Sequence, residues 1–407
     1  MNTQRNRTWP IIAAASAILL ITMGARQTLG LFVEPLNKST GLGIVAISFA
    51  MAVGQFFWGA VQPVFGALAD RYGARRMLAA GAVMLAAGTV LTPFVSNAMA
   101  LTLTIGVLTA AGAGAGSFSI LIGATSQRIA PEKRAFAAGV INAGGSLGQF
   151  LFAPLNQFVI STFGWASAMY TMAVAALATI PLSRPLASRA VHAGVVTAHA
   201  TTPSLSMREQ LRIAVRDRSY WLLHAGFFTC GFHIAFLVTH LPGEVNLCSL
   251  PASVAAKSLS IIGLANVAGS LTAGWLGNRY RMKWLLFFVY FSRAAAIAVY
   301  LAAPKTPLTF YLFAAVLGFT WLATVPPTAG IVAKLFGVRY LATLFGLTLL
   351  THQIGGFFGA WLGGIALVKF GDFRWMWYAD IVLALGAALL NLPIREAPAL
   401  RARAAMA

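Results

Sequence analysis

Apolar runs of eighteen or more residues recur from one end of the chain to the other. A run of that length crosses the hydrocarbon layer of a bilayer as one helix. Twelve such segments can be read, at roughly 9–34, 44–68, 77–95, 99–125, 135–160, 164–182, 219–241, 254–277, 284–303, 308–332, 341–367 and 374–393. Lipid offers no hydrogen-bond partner to bare backbone, so each is expected to be helical. Of 407 residues, 59% are hydrophobic and only 9% are charged. That composition excludes a soluble domain of this length.

The net charge of +20 would suit a nucleic-acid partner, but the basic residues are sorted by side. With a cytoplasmic N-terminus, the cytoplasmic segments hold 22 Lys and Arg, and the other side holds five. This is the positive-inside pattern, with both termini inside. The charge therefore reports topology, and the bilayer is the expected partner rather than nucleic acid. Arg5 and Arg7 precede an apolar run of about 24 residues, too long for a signal-peptide core, so a retained first span is expected. Cys230 and Cys248 are too few for a disulfide framework and are expected as free thiols. The longest polar stretch, about 183–216, reads as a cytoplasmic linker in which Met207 to Val215 can form a short surface helix. The expected division is an N-terminal six-helix half (1–182), a linker (183–218) and a C-terminal six-helix half with a short cytoplasmic tail (219–407).

The chain also repeats itself. A shift of 208 residues brings Gly66, Leu68, Arg71 and Tyr72 onto Gly274, Leu276, Arg279 and Tyr280, with Asp70 meeting Asn278. A shift of 207 brings Gly24, Arg26 and Pro35 onto Gly231, His233 and Pro242. The same shift brings Gly139, Gly148, Phe150 and Ala153 onto Gly346, Gly355, Phe357 and Ala360. Two parallel six-helix halves are a transporter plan, with substrate held between them near mid-membrane.

The stretch GALADRYGARR lies between the second and third spans. Its Gly66, Asp70, Arg71, Gly73, Arg75 and Arg76 match the G-x-x-x-D-R-x-G-x-R-R loop of the major facilitator superfamily, which the chain resembles over essentially its whole length. The resemblance implies an all-α membrane protein of twelve transmembrane helices in two pseudo-symmetric halves, working as a monomer. It also implies that this loop acts as a conformational latch, tying the halves together inside to stabilise the outward-open state. Physically, Gly73 suits a tight turn, and Asp70 suits a helix N-terminus or a basic partner such as Arg128. Topology anchoring by Arg71, Arg75 and Arg76 is the plainer role, compatible with the first. Asn278 replaces the acid in the second copy, which weakens any acid-dependent latch there.

Ionisable residues inside spans are expensive and are the first candidates for function. Arg26 lies mid-span in the first helix with no acid one or two turns away. A guanidinium facing a cavity favours an anion, ideally a carboxylate held by two bonds; its structural alternative is a bond to helix carbonyls or to Asn142. His233, its repeat partner on the seventh span, would clamp the anion from the other side and can change charge near neutral pH, which suits proton coupling. His352 and Gln353 sit in THQIGGFFG, where the glycines favour close helix contact. His224 lies near a span end. Arg293 and Asp380, on the ninth and twelfth spans, are read as structural, Arg293 snorkelling or pairing with Asp380. Asn142, Gln149, Asn266 and Trp321 complete the expected substrate contacts, and each could equally bridge helices. No cofactor, metal spacing or catalytic set is legible. GAGAGS (112–117) lacks the Lys and setting of a phosphate loop, so no enzyme is expected.

The segment GARQTLGLFVEPL resembles the bacterial branch related to monocarboxylate and oxalate–formate porters, which moves small organic anions. Porters of that branch commonly carry a basic residue in the eighth helix, where this chain offers only Asn266. The reading is proton-coupled transport of a small organic anion by alternating access in the inner membrane. Efflux of amphipathic drugs or metabolites is the alternative.

Overall fold

The computed structural model describes residues 2–126, 131–187, 206–277, 279–337 and 341–398. The spans are numbered α1 (Asn2–Gln27), α2 (Ile44–Tyr72), α3 (Ala74–Leu91), α4 (from Ala98–Leu101 to Phe118–Ser126), α5 (Pro131–Phe163) and α6 (Trp165–Leu182) in the first half. The second half holds α7 (Arg218–Leu247), α8 (Ala252–Gly277), α9 (Met282–Ala302), α10 (Pro307–Thr320 and Val325–Phe336), α11 (Leu341–Phe370) and α12 (Arg374–Asn391). Judged on their described residues, ten of these spans are long and apolar enough to cross a membrane by that measure alone. The long helices α5 and α12 complete the twelve, and no strand occurs among the described residues. Single residues turn the chain where a side chain would be strained: Gly73 (φ 91°) between α2 and α3, and Gly164 (φ 85°) between α5 and α6. Asp217 and Thr306 cap α7 and α10 with their side chains. Met207–Val215 is a helix, as its sequence suggests. Cys230 and Cys248 are free.

The aligned glycines of the two halves do the same work. In the first half α1 packs on α5: a Cβ on Gly148 would lie 2.1 Å from the Leu20 carbonyl, and one on Gly24 would strike Phe152 at 2.6 Å. In the second half α7 packs on α11 in the same way. A Cβ on Gly355 would lie 2.0 Å from the Phe228 carbonyl, and one on Gly231 1.7 Å from the His352 carbonyl. Small residues let the backbones touch, which is how helices gain packing energy in lipid. The halves then meet through α2 on α11 and α5 on α8.

Three spans are not single helices. The chain past α1 leaves the α-helix at Thr28 and continues as a 3-10 turn (Leu29–Phe32) and a helix (Val33–Thr40). Within α4, Thr102–Thr109 is π-helical, and the helix breaks at Gly116 and Ser117. α10 breaks over residues 321–324. The breaks in α4 and α10 fall at matching places in the repeat. In each, a side chain of the first helix of that half reaches a freed carbonyl: Thr22 Oγ1 donates to Gly116 O at 2.9 Å, and Cys230 Sγ lies 4.0 Å from Trp321 O.

The two ends of the bundle differ. On the face that carries the linker, a Cβ added at Gly66 of α2, Gly139 of α5, Gly274 of α8 or Gly346 of α11 meets none of the described residues within 4 Å. On the opposite face the halves are shut: a Cβ on Gly30 would lie 1.9 Å from the Val238 carbonyl, and one on Gly364 2.4 Å from Ser48 Oγ. Close contact between the halves is thus fixed at the face opposite the linker.

Candidate functional site

Arg26 stands half-buried where α1 faces α2. Its guanidinium lies over the Trp58 ring, 4.2 Å from the centroid, and its Nη2 donates to Gln55 Oε1. A stacked cation and one amide oxygen partly replace water for this charge. No carboxylate pairs with it among the described residues. Beside it lies a cavity of about 20 Å³, lined by Arg26, Met51, Gln55, Thr109, Val238 and Thr239 among others. That holds a water and is too small for an organic ion. Thr109 Oγ1 is buried without a partner. It ends the π-helical turn of α4, a distortion common at functional sites.

The same stretch of α2 touches the second half. Gln353 of α11 packs onto Gly59, where a Cβ would lie 2.4 Å from its Cγ, and Gln55 Cβ lies 3.5 Å from the position of a Cβ on Gly356. Gln353 Nε2 donates to His352 Nδ1 at 3.1 Å, and the His352 ring centroid is 4.8 Å from that of Phe227. Gln353 Oε1 is buried and unpaired. Arg26, Gln353 and His352 are therefore gathered about one α2 segment between the halves.

Asn266 bridges three helices. Its Nδ2 donates to Ser146 Oγ of α5 at 3.0 Å, while its Oδ1 accepts from Leu322 N at 3.1 Å and from Ser270 Oγ at 3.1 Å. Both ends of the amide are engaged. Gln149 is buried against Gly263 of α8 with its Nε2 unpaired. Asn142 is half-buried on α5, and it is not the partner of Arg26.

The second half holds its polar residues inside itself. His233 Nδ1 bonds Asp380 Oδ2, with both side chains buried, and the His233 ring meets Trp321 edge-on at 5.9 Å. The expected clamp of Arg26 and His233 thus gives way. A carboxylate on α12 claims the ring, because a buried acid needs a partner more than the cavity does. Arg293 neither snorkels nor pairs with Asp380. It is 1% exposed and donates to the carbonyls of Thr320 and, at 2.7 Å, Trp321. Its Nη1 lies 3.4 Å from Cys230 Sγ. The guanidinium caps the carbonyls that the α10 break frees. Trp321, the first residue of that break, is fully buried. His224 bonds Thr351 Oγ1 at 2.7 Å.

In the loop, Gly73 makes the expected tight turn, its N–H bonding Ala69 O at 2.8 Å, and Arg75 and Arg76 are exposed. The side chains of Asp70 and Arg71, and the whole of Arg128, lie outside the described residues. Gln55 and Trp58 were not foreseen as partners of Arg26. The one signal for Gln55 was an amide in an otherwise apolar run, which could as well have bridged any two helices.

Residues 15–360 and 250–407 match the model of the Major Facilitator Superfamily. The chain belongs to that superfamily. It is 24% identical to the oxalate:formate antiporter of Oxalobacter formigenes over 365 residues, covering 89% of this chain and 86% of that one. It is 25% identical to monocarboxylate transporter 11 of Mus musculus, covering 90% and 82%. Among solved structures, a D-xylose-proton symporter superposes with a TM-score of 0.74 at 14% identity, covering 95% of this chain and 97% of the other. This superfamily member is a multi-pass membrane transporter rather than an enzyme.

Proposed function

We propose that this transporter carries a small monovalent organic anion, of monocarboxylate type, by alternating access. It works as a monomer in the inner membrane with both termini cytoplasmic, coupled to protons. The observation that carries the reading is Arg26, a fixed positive charge beside the one-water cavity with no carboxylate to neutralise it among the described residues. Among the described residues the other buried charged groups are engaged: Arg293 with α10 carbonyls, His233 and Asp380 with each other, Glu244 with the Tyr300 hydroxyl, and Asp217 with Tyr220 N and Arg395. One free charge balances one carboxylate, so a monoanion fits better than a dianion. The names of the relatives, a monocarboxylate transporter and an oxalate:formate antiporter, agree with an anionic substrate.

In this reading Gln353, His352 and Asn142 line the path around Arg26, Gln149 and Asn266 hold α5 against α8 beside it, and the basic loops of the linker face lie in the cytoplasm. The structure then represents a cytoplasm-open state. The loop from Gly66 to Arg76, with Arg128, engages as a latch when that face closes.

The test is thermal unfolding of the purified protein and of Arg26→Ala against formate, acetate, oxalate, cationic dyes and sugars. A ligand of the folded state raises the midpoint as its concentration passes its Kd. A monocarboxylate should stabilise wild type and leave Arg26→Ala unmoved. Stabilisation by dyes or neutral compounds alone, equal in the two proteins, would overturn the anion reading in favour of efflux.

A further inference from the structure

The helix Met207–Val215 presents its arginines in a stripe. Arg208 and Arg212 lie in it and Arg216 caps its C-terminal end, at spacing i, i+4, i+8; all three are exposed, and Arg218 follows, also exposed. Residues at this spacing stack on one side of a helix, here over about 12 Å. Among the described residues none of the four forms an ion pair with a carboxylate. The neighbouring acids are engaged: Glu209 in the capping box with Ser206, and Asp217 with Tyr220 N and Arg395.

The helix is also fixed in depth. Near its start, Gln210 Nε2 donates to the Phe336 carbonyl at 2.8 Å, at the last residue of α10. At its end, the Val215 carbonyl accepts from Trp221 Nε1 at 2.7 Å, in the first turns of α7. Both ends are therefore clamped to the ends of spanning helices, where a membrane has its headgroups. Trp221 is 56% exposed and Val215 53% exposed, an aromatic and an apolar side chain facing outward at that level. An indole there is the usual occupant of the membrane–water interface.

We propose that the Arg208–Arg212–Arg216 stripe, with Arg218, is a binding site for anionic phospholipid headgroups. Guanidinium groups hold phosphate oxygens through paired charge-assisted bonds. A rigid row of three at headgroup depth meets more than one lipid, with Trp221 and Val215 against the acyl boundary. The inference rests on the membrane architecture and is independent of the substrate.

The test uses full-length protein in neutral detergent, titrated with phosphatidylglycerol or phosphatidylcholine, with the unfolding midpoint and the lipids retained in native mass spectrometry as readouts. Wild type should be stabilised by phosphatidylglycerol and not by phosphatidylcholine, and the effect should fade with added salt. Arg208→Gln/Arg212→Gln/Arg216→Gln should need about tenfold more phosphatidylglycerol or more for the same rise. The matched variant Arg75→Gln/Arg76→Gln/Arg281→Gln, which removes as many exposed arginines from the same face, should respond as wild type does. If the glutamine stripe does not fold, the three lysine substitutions replace it and should weaken the response without abolishing it. The proposal is overturned by an unchanged phosphatidylglycerol response in the stripe variant, by an equal loss in the matched variant, or by inorganic phosphate reproducing the stabilisation.

Discussion

His233 of α7 and Asp380 of α12 share a hydrogen bond through Nδ1 and Oδ2, with neither side chain more than 1% exposed. Each has its other polar atom, Nε2 and Oδ1, buried without a partner. The pair is thus one bond deep: remove either member and the other is left alone in an apolar interior. Breaking a buried pair costs about 3–5 kcal/mol, whereas replacing both members by apolar groups is often neutral. His233→Leu should lower stability by about that amount, and His233→Leu/Asp380→Leu should recover most of it. Unfolding of the four proteins in a double-mutant cycle measures the coupling. Additive losses would show that the two residues do not act as a pair.

Arg293 stabilises a break rather than a salt bridge. Its guanidinium spans the Thr320 and Trp321 carbonyls and reaches Cys230, a geometry that needs a planar fork. Lysine keeps the charge but cannot span the three acceptors. Loss of one or two charge-assisted bonds to buried groups corresponds to about 1.5–3 kcal/mol each. Arg293→Lys should therefore speed hydrogen exchange at the amides of residues 322–325, with little change at the α4 break around Gly116. Equal exchange at both breaks in variant and wild type would remove Arg293 from this role.

Much of the fold was legible because lipid narrows the choices. Uninterrupted apolar runs become helices, and Gly24 and Gly148 recur at one offset as Gly231 and Gly355 because the same helix contact is built twice. The breaks in α4 and α10 were not legible. Whether a backbone carbonyl is freed depends on what reaches it, and Arg293 lies 27 positions from Thr320 along the chain. The site shows the same division. Arg26 stands out as a charge in an apolar run. Its partner Gln55 and the His233–Asp380 pair, 147 positions apart, are decided by which helix faces are turned inward, and apolar composition all round these helices hides that. Asn266 carried no mark distinguishing a ligand contact from a bridge, and the structure engages both its ends.

Gly30 lies in the tight contact that closes the face opposite the linker. A Cβ there would lie 1.9 Å from the Val238 carbonyl and 3.0 Å from that of Thr239, and backbone cannot yield as a flexible side chain does. Overpacking of this kind costs about 1–3 kcal/mol, and the open state of that face escapes it. Gly30→Ala should shift the molecule toward that state. Maleimide labelling of a cysteine at Val238 should then be faster in the Gly30→Ala background than in wild type. Labelling at the same rate, with the same overall stability, would mean that the contact does not govern closure.

Under the proposed function, Gln55 and the anion compete for the same guanidinium. In this state Nη2 of Arg26 is held by Gln55 Oε1, and the ring of Trp58 covers one face of the group. Substituting Gln55→Leu leaves a half-buried charge short of an acceptor, which costs about 1–3 kcal/mol in the empty protein. An anion that binds Arg26 restores the lost bond and recovers that energy. The empty variant should therefore be less stable than wild type, yet gain more from the same carboxylate, with a lower Kd by up to about tenfold for 1.4 kcal/mol recovered. Arg26→Lys should do the reverse, keeping the charge but losing the planar fork and most of the affinity. Isothermal titration with the monocarboxylate found in the thermal screen separates the cases. Weaker binding in Gln55→Leu would mean that the amide contacts the substrate itself, and would move Gln55 from competitor to ligand in the account of the site.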